Sequence, residues 1–509
     1  MKKITILYIT GVLLASMTSC TKDFEEINTN PNVVEKPNPN FIFSKSILDG
    51  LNNNYFATNI LECGGMLQHY ATYKEASGVG DKYLSNEVYF SAYFNQVYPT
   101  ALNETEIVID AVKDNANDSN KLNVARIWKA YLYHRITDLY GDIPYTEAAK
   151  ANSTQIFLPK YDTQEFIYKD LLKELDEAAL ALDPAKPTFG NADFIYNGDV
   201  AKWKKFSYSL MLRLAMRLTK VDPALAQSWA NKAIAGGVIL NTADNAIMKY
   251  TDGPNDINRN PVGFDSRKQD FTAGSFGQKN VEGGKLAKTF IDVLQATADP
   301  RISVYAGVWQ GNVQNTSIPV QKGFPNGTKI APTPAEQATY SEPNQSTVFK
   351  YDAPIMILSN AETNFLLAEA AARGWYAGET DQALYEKGVR ASFLNMGIYG
   401  AAYTIADATP YLTLNPFNAA GSFEDKMNQI HTQMWISLFV DEQEVYANWR
   451  RTGYPVLVPV NFPGNVTNGT IPRRFKYPTS EYSVNSANLA EAVKRQGEDN
   501  FTTRIWWDK

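Results

Sequence analysis

The sequence predicts a mainly α-helical fold with little β-structure, in which helices come as adjacent pairs. Three observations predict it. Apolar residues recur at helical spacing over five separate stretches. Glycine and proline stand at the ends of those stretches rather than inside them. One long stretch, about 250–350, abandons the pattern and is dense in Gly, Pro, Asn and Thr.

The first periodic stretch carries Val124, Ile127, Trp128, Tyr131, Leu132, Ile136 and Leu139 on one face and stops at Gly141 and Pro144. The second carries Tyr168, Leu171, Leu172, Leu175, Ala178, Ala179 and Leu182 and stops at Asp183-Pro184. The third runs through Trp203, Phe206, Leu210, Met211, Leu214 and Leu218, with Lys202, Lys205 and Arg213 on its other face. Asp222-Pro223 opens a further helix over 225–237 that reads as the second member of a hairpin and ends at Gly236-Gly237. Phe365, Leu366, Ala368, Glu369 and Ala372 mark a fourth stretch, ending at Gly374. A single long helix is predicted through Met427, Ile430, Met434, Trp435, Leu438 and Val445, ending at Gly453. Paired helices with Trp, Tyr, Ala and Pro punctuation suggest tetratricopeptide-like hairpins. An irregular helical domain is the alternative that periodicity leaves open. Within the excursion only 285–297 reads as helix, and 400–423 and 453–509 read as further irregular regions. Long irregular excursions on a helical scaffold are usually functional.

The N-terminus is organised differently. Lys2 and Lys3 precede an apolar run from Ile4 to Ala15. At about 12 residues it is short of the roughly 20 that a membrane-spanning helix needs. Ser16, Thr18 and Ser19 then lead into Cys20. A cationic start, short apolar core and small residues make 1–19 a signal peptide. The run into Cys20 resembles the bacterial lipobox, in which a cysteine thiol takes a diacylglyceryl group and becomes the new N-terminus. Met17 departs from the commoner Leu. A secretory peptide cut elsewhere is the alternative. Residues 20–40, with Asn-Thr-Asn-Pro-Asn at 28–32 and Pro37 and Pro39, form a polar arm. Residues 41–509 then make one domain, its helical scaffold mainly 41–248 and 355–452.

Composition excludes several function classes. The 509 residues carry 48 Lys and Arg against 54 Asp and Glu, a net charge of −6, with no long basic run. Nucleic-acid binding, which needs clustered cations, is therefore not expected. With Cys20 lipidated, Cys63 has no partner, so no internal disulfide is expected and Cys63 reads as a buried inert thiol. His69, His134 and His431 stand far apart, without the spacing of a metalloprotease or a zinc site. Gly78-Val79-Gly80 and Gly283-Gly284-Lys285 lack the remaining residues of nucleotide loops. Asp114–Asn120 lacks the glycine and closing Glu of a calcium loop. No catalytic set, metal or cofactor is expected, although a glycosidase carboxylate pair assembled in three dimensions is not legible either way.

What remains is a binding surface. Aromatics crowd 70–98, and most of them recur at core spacing, but Tyr73 and Tyr83 flank Gly78 and Gly80 in an expected loop. In the excursion, Phe264, Phe271, Phe276 and Trp309 sit among polar residues, with Asn258 and Arg267 as hydrogen-bonding neighbours. Exposed rings stack on sugar C–H faces or apolar side chains, and a few polar groups orient the ligand. Tyr73, Tyr83, Arg267 and Trp309 are the leading ligand-contact candidates.

Several sequence words point to one family. They are Asp138-Leu-Tyr-Gly-Asp-Ile-Pro-Tyr145, Lys202-Trp-Lys-Lys-Phe206 running into Leu212-Arg-Leu-Ala-Met-Arg-Leu218, and Asp299-Pro-Arg301. Further along stand Glu362-Thr-Asn-Phe-Leu-Leu-Ala-Glu369, Trp449-Arg-Arg-Thr-Gly-Tyr-Pro455, Ile471-Pro-Arg-Arg474 and Trp506-Trp-Asp-Lys509. With the lipobox and polar arm, they resemble the SusD/RagB family of nutrient-binding lipoproteins, in its second SusD-like branch. The resemblance implies four tetratricopeptide-like helix pairs packed against an irregular, loop-rich half. It implies no enzymatic activity, outer-membrane anchoring and a cell-surface position. It also implies partnership with a SusC-type TonB-dependent barrel, which the protein would cap as a lid while capturing oligosaccharides or peptides. The words themselves read as scaffold, with Arg450-Arg451 as buried or interface pairing. A surface glycosidase and a ligand-free scaffold are the competing classes.

Overall fold

A computed structural model of the chain describes residues 38–52, 55–74, 79–150, 154–269, 271, 283–329 and 331–509. Cys20, most of the polar arm, Gly78 and Phe276 lie outside the described residues.

Helix α1 (Pro39–Asn52) packs against α2 (Asn103–Val112). Four helix pairs follow. They are α3 (Ser119–Tyr140) with α4 (Gln164–Ala181), α5 (Val200–Arg217) with α6 (Pro223–Gly236), and, after an excursion holding α7 (Pro261–Gln269), α8 (Asn360–Ala372) with α9 (Asp381–Asn395). The last is α10 (Phe423–Ser437) with α11 (Glu442–Thr452). The expected scaffold of four tetratricopeptide-like pairs is therefore present.

Local chemistry sets the helix ends. The Thr163, Asp199, Asp222, Ser359 and Thr380 side chains accept N-terminal backbone N–H bonds of α4, α5, α6, α8 and α9. Each such cap contributes about 1 kcal/mol. Ser422 and Asp425 form a reciprocal capping box on α10. Gly141 and Gly453 follow α3 and α11 at φ 87° and 83°, a region costly for other residues.

The single long helix predicted through 427–445 is instead two helices. The chain turns at Leu438–Asp441, where Val440 stands at φ 77°. A β-branched residue there is a steric outlier. Its N–H is held by Glu442 Oε1 at 3.1 Å, and Glu442 Oε2 in turn meets His69 Nδ1 at 2.7 Å. No glycine or proline marks this corner; a local bond to Glu442 closes it, and His69, remote in sequence, holds the Glu442 carboxylate. The irregular regions also hold more order than expected, including α7, a helix at Ala408–Leu414 and α12 (Ser486–Gln496). The predicted helix over 285–297 begins as strand and turns helical only at Lys288.

β-structure is short and local. β1 (Tyr70–Thr72) pairs antiparallel with β5 (Gly284–Leu286), and β2 (Ile143–Pro144) with β3 (Tyr161–Asp162). β4 (Ala246–Met248) pairs with β9 (Ile355–Leu358). β6 (Ala306–Gln310) stands between β7 (Val313–Asn315) and β8 (Glu342–Pro343).

The sequence words become a buried charge network between helices. Arg213 on α5 meets both oxygens of Glu362 on α8 at 2.6 Å. Arg217 reaches Glu444 on α11 at 2.5 Å and Asp138 on α3 at 3.4 Å. Arg451 meets both oxygens of Glu369 at 2.8 Å, and His431 Nε2 lies 3.1 Å from the same carboxylate. Arg301 pairs with Asp299 at 2.5 Å, and Arg474 with Asp499 at 2.9 Å. The Trp507 indole donates to Asp138 at 3.1 Å. Arg451 and Arg450 are both buried, the latter donating to the Asp138 carbonyl at 2.5 Å. Such pairs orient helices more than they stabilise them, because burial of each ion is costly.

Candidate ligand-binding face

The loop-rich half grows from the β1–β5 pair, which sets Ala71 opposite Lys285 and Thr72 opposite Gly284. Beside it, Asp81 accepts from the N–H groups of Thr72 at 3.3 Å and Gly327 at 3.0 Å and from Lys82 Nζ at 2.6 Å. Lys82 also donates to the Thr72 carbonyl at 2.6 Å. Both ions are buried, so these bonds are what makes their burial tolerable.

The segment 340–351 runs through three side-chain groups. In the first, Tyr73, Phe324 and Tyr340 form an edge-to-face series with centroids 6.1 and 4.9 Å apart. The Tyr73 hydroxyl donates to Gln337 at 3.2 Å, and the Lys322 ammonium lies 4.3 Å from the half-buried Tyr340 ring. In the second, Glu342 accepts from Lys285 at 2.5 Å and from the Trp309 indole at 3.1 Å, all three buried. In the third, Tyr351 lies 4.3 Å from the Arg267 guanidinium carbon and 5.0 Å from that of Arg259. Arg259 also reaches Asp252 at 3.2 Å and Asp256 at 3.1 Å. Arg267 Nε has no hydrogen-bond partner among the described residues.

The expectation that Tyr73, Tyr83 and Trp309 offer open ring faces is corrected. Tyr83 is 1% exposed, and Tyr73 and Trp309 are 8% exposed. Tyr83 accepts from Val460 N–H at 3.2 Å through its hydroxyl and from Val466 N–H at 2.9 Å through its carbonyl. Burial pushes its phenol up to about 12. Its φ of 55° shows the turn that sequence suggested, but the turn folds inward. Phe264 and Phe271 are buried as well, whereas Asn258 is exposed. Arg267 is half-buried and joins Tyr351. Sequence reading missed Arg259, Lys322, Tyr340 and Tyr351. The available signal was an aromatic with a cation in the excursion, but their pairings span tens of residues and are set by tertiary packing.

The three histidines and Cys63 are buried, and burial pushes the Cys63 thiol up. Among the described residues, His134, Asp138 and Glu444 bring ligand-type atoms within 4.8 Å of one another. The Asp138 and Glu444 carboxylates already face Arg217, and Arg213 lies 3.5 Å from Glu444. Burial, with Arg213, Arg135 and Arg217, holds His134 well below the usual imidazole range. This cluster is therefore compensated by guanidinium rather than arranged for a cation, and it sits in packed core rather than in a cleft.

The family model SusD-like_2, starch-binding associating with outer membrane, matches residues 31–478. The chain belongs to the SusD-like family. The structure of a chitin-binding protein aligns with this SusD-like chain at TM-score 0.80 and 31% identity, covering 93% of this chain and 100% of that one. A chitin-binding SusD homolog from Flavobacterium johnsoniae aligns at TM-score 0.76 and 27% identity, covering 92% and 98%. A SusD homolog from Bacteroides uniformis aligns at TM-score 0.76 and 27% identity, with the same coverage. No curated protein matches the sequence. SusD-like proteins are binding proteins, not enzymes, and this one is a nutrient-binding protein that associates with the outer membrane.

Proposed function

We propose that this SusD-like protein captures oligosaccharides at the cell surface and delivers them to a SusC-type TonB-dependent barrel, over which it closes as a lid. Chains of β-linked N-acetylglucosamine are the first candidates, because the 31%-identical structural relative is a chitin-binding protein. The observation that supports a site is the Arg259–Tyr351–Arg267 stack. A guanidinium held against a ring is preorganised, and its donors match sugar hydroxyls and acetamide carbonyls. Tyr340, with Lys322 beside it, is the aromatic candidate for sugar stacking, and Tyr73 and Trp309 act behind it as supports rather than as contacts. The same lid role for peptides is the second reading, favoured by the paired guanidiniums, which also suit carboxylates.

Arg267→Ala and Tyr351→Ala should each weaken chito-oligosaccharide binding about tenfold, a loss of about 1.4 kcal/mol, with little change in melting temperature. Calorimetric titration with N-acetylglucosamine oligomers and with peptides decides between the readings. Unchanged affinity in both variants would remove the stack from the site.

The anchor belongs to the same proposal. Acyl chains on Cys20 would tie the protein to the outer membrane facing outward, since two or more chains hold stably where one does not. Cys20→Ser should abolish fatty-acid labelling and shift the protein out of the outer-membrane fraction. Loss of the wild-type protein on protease treatment of intact cells checks the orientation.

A further inference from the structure

We infer that the protein binds a structural water molecule in a small internal chamber between Tyr55, Tyr93 and Gln443. The chamber measures about 20 Å³ and is also lined by Asn59, Arg135 and Asp441. It lies where distant parts of the chain meet, among them α1, the start of the π-helical segment Phe56–Gly64, the helix Ala92–Val97, α3, β9 and α11.

Most of its polar wall is internally paired. Arg135 donates to Gln443 Oε1 at 2.5 Å and to Asp441 Oδ1 at 2.9 Å, and the Gln443 N–H donates to Asn59 Oδ1 at 3.1 Å. Three atoms have hydrogen-bonding capacity left. The Tyr55 hydroxyl and Gln443 Nε2 are buried with no hydrogen-bond partner among the described residues, and the Tyr93 hydroxyl oxygen faces the Arg135 guanidinium, which leaves its own O–H to donate. Tyr55, Tyr93 and Gln443 are 5%, 3% and 4% exposed. A buried hydroxyl or amide left unmatched is costly, so unmatched groups on residues that line one chamber call for an occupant.

The occupant is small, neutral and able both to donate and to accept. Water needs about 10–15 Å³ and 2–4 polar partners, and the chamber supplies both. It accepts from Gln443 Nε2 and one tyrosine hydroxyl and donates to the other. Asp441 disfavours an anion there, and Arg135 disfavours a cation. The water closes the hydrogen bonding beside Val440, the strained corner residue, which also lines the chamber. It thereby ties the N-terminal segment to the corner that creates the fourth helix pair.

Crystals of the protein that resolve ordered water test this. The expected result is one peak within hydrogen-bond reach of all three atoms. An empty chamber, or a Gln443 amide turned onto a tyrosine hydroxyl, overturns the inference. In solution, water-oxygen relaxation dispersion should count one long-lived water fewer in the Tyr93→Phe, Gln443→Leu double variant than in wild type. An equal count in a variant whose circular dichroism matches wild type would equally overturn it.

Discussion

Replacing Arg217 by methionine should lower the free energy of unfolding by about 3–5 kcal/mol at neutral pH. Arg217 answers two buried carboxylates at once, Glu444 at 2.5 Å and Asp138 at 3.4 Å. Methionine fills much of the space but leaves both acids facing each other across α3 and α11. The effect should depend on pH with a definite sign. Burial pushes Glu444 up, but Arg217 and Arg213 outweigh it and hold the carboxyl below its usual range. Its contribution is thus present above that range and lost as pH falls through the lowered value. At Asp138 burial outweighs Arg217 and raises the carboxyl, so its preference for the protonated form already opposes stability as pH rises. Without the guanidinium both carboxyls move upward, and the deficit against wild type is largest at neutral pH and shrinks on acidification. Urea unfolding followed by tryptophan fluorescence at pH 7 and pH 4 measures it. A deficit equal at both values would assign the loss to packing instead.

Trp309→Ala should cost about 3–5 kcal/mol of stability. The indole is buried on β6 and donates to Glu342, which also holds Lys285. Removing it opens a cavity and takes one hydrogen-bond donor away from a buried carboxylate. Trp309→Phe keeps most of the ring volume and should cost about 1.5–3 kcal/mol, the loss of one bond to a charged group. Its oligosaccharide affinity should match wild type, because the ring supports the face from behind. Thermal unfolding of both variants, with titration of the Phe variant, checks the pair. A large affinity loss with an unchanged melting temperature would restore Trp309 as a ligand contact.

The sequence by itself determined the helical class, most helix ends and the family. Those features are local or additive. A cap such as Thr163 or Ser359, and a stop such as Gly141, act within a few residues, and an apolar stripe declares its own buried face. The family words were legible for a related reason. Arg213, Arg217, Glu362, Glu369 and Arg451 are ions that the core admits only in pairs, so their positions are tightly constrained even though the pairing itself is invisible in one chain.

Only the tertiary structure decided the rest. The corner at Val440 carries no glycine or proline; its local bond to Glu442 is held in place by His69, which is remote in sequence. Tyr73, Tyr83 and Trp309 sit in polar, glycine-rich text that reads as exposed loop, yet Phe324, Val460 and Glu342 cover or bind them from positions remote in sequence. Arg267 found its partner Tyr351 the same way. Whether an aromatic ring faces ligand or core depends on what long-range packing lays over it, and residue type and neighbours along the chain do not encode that.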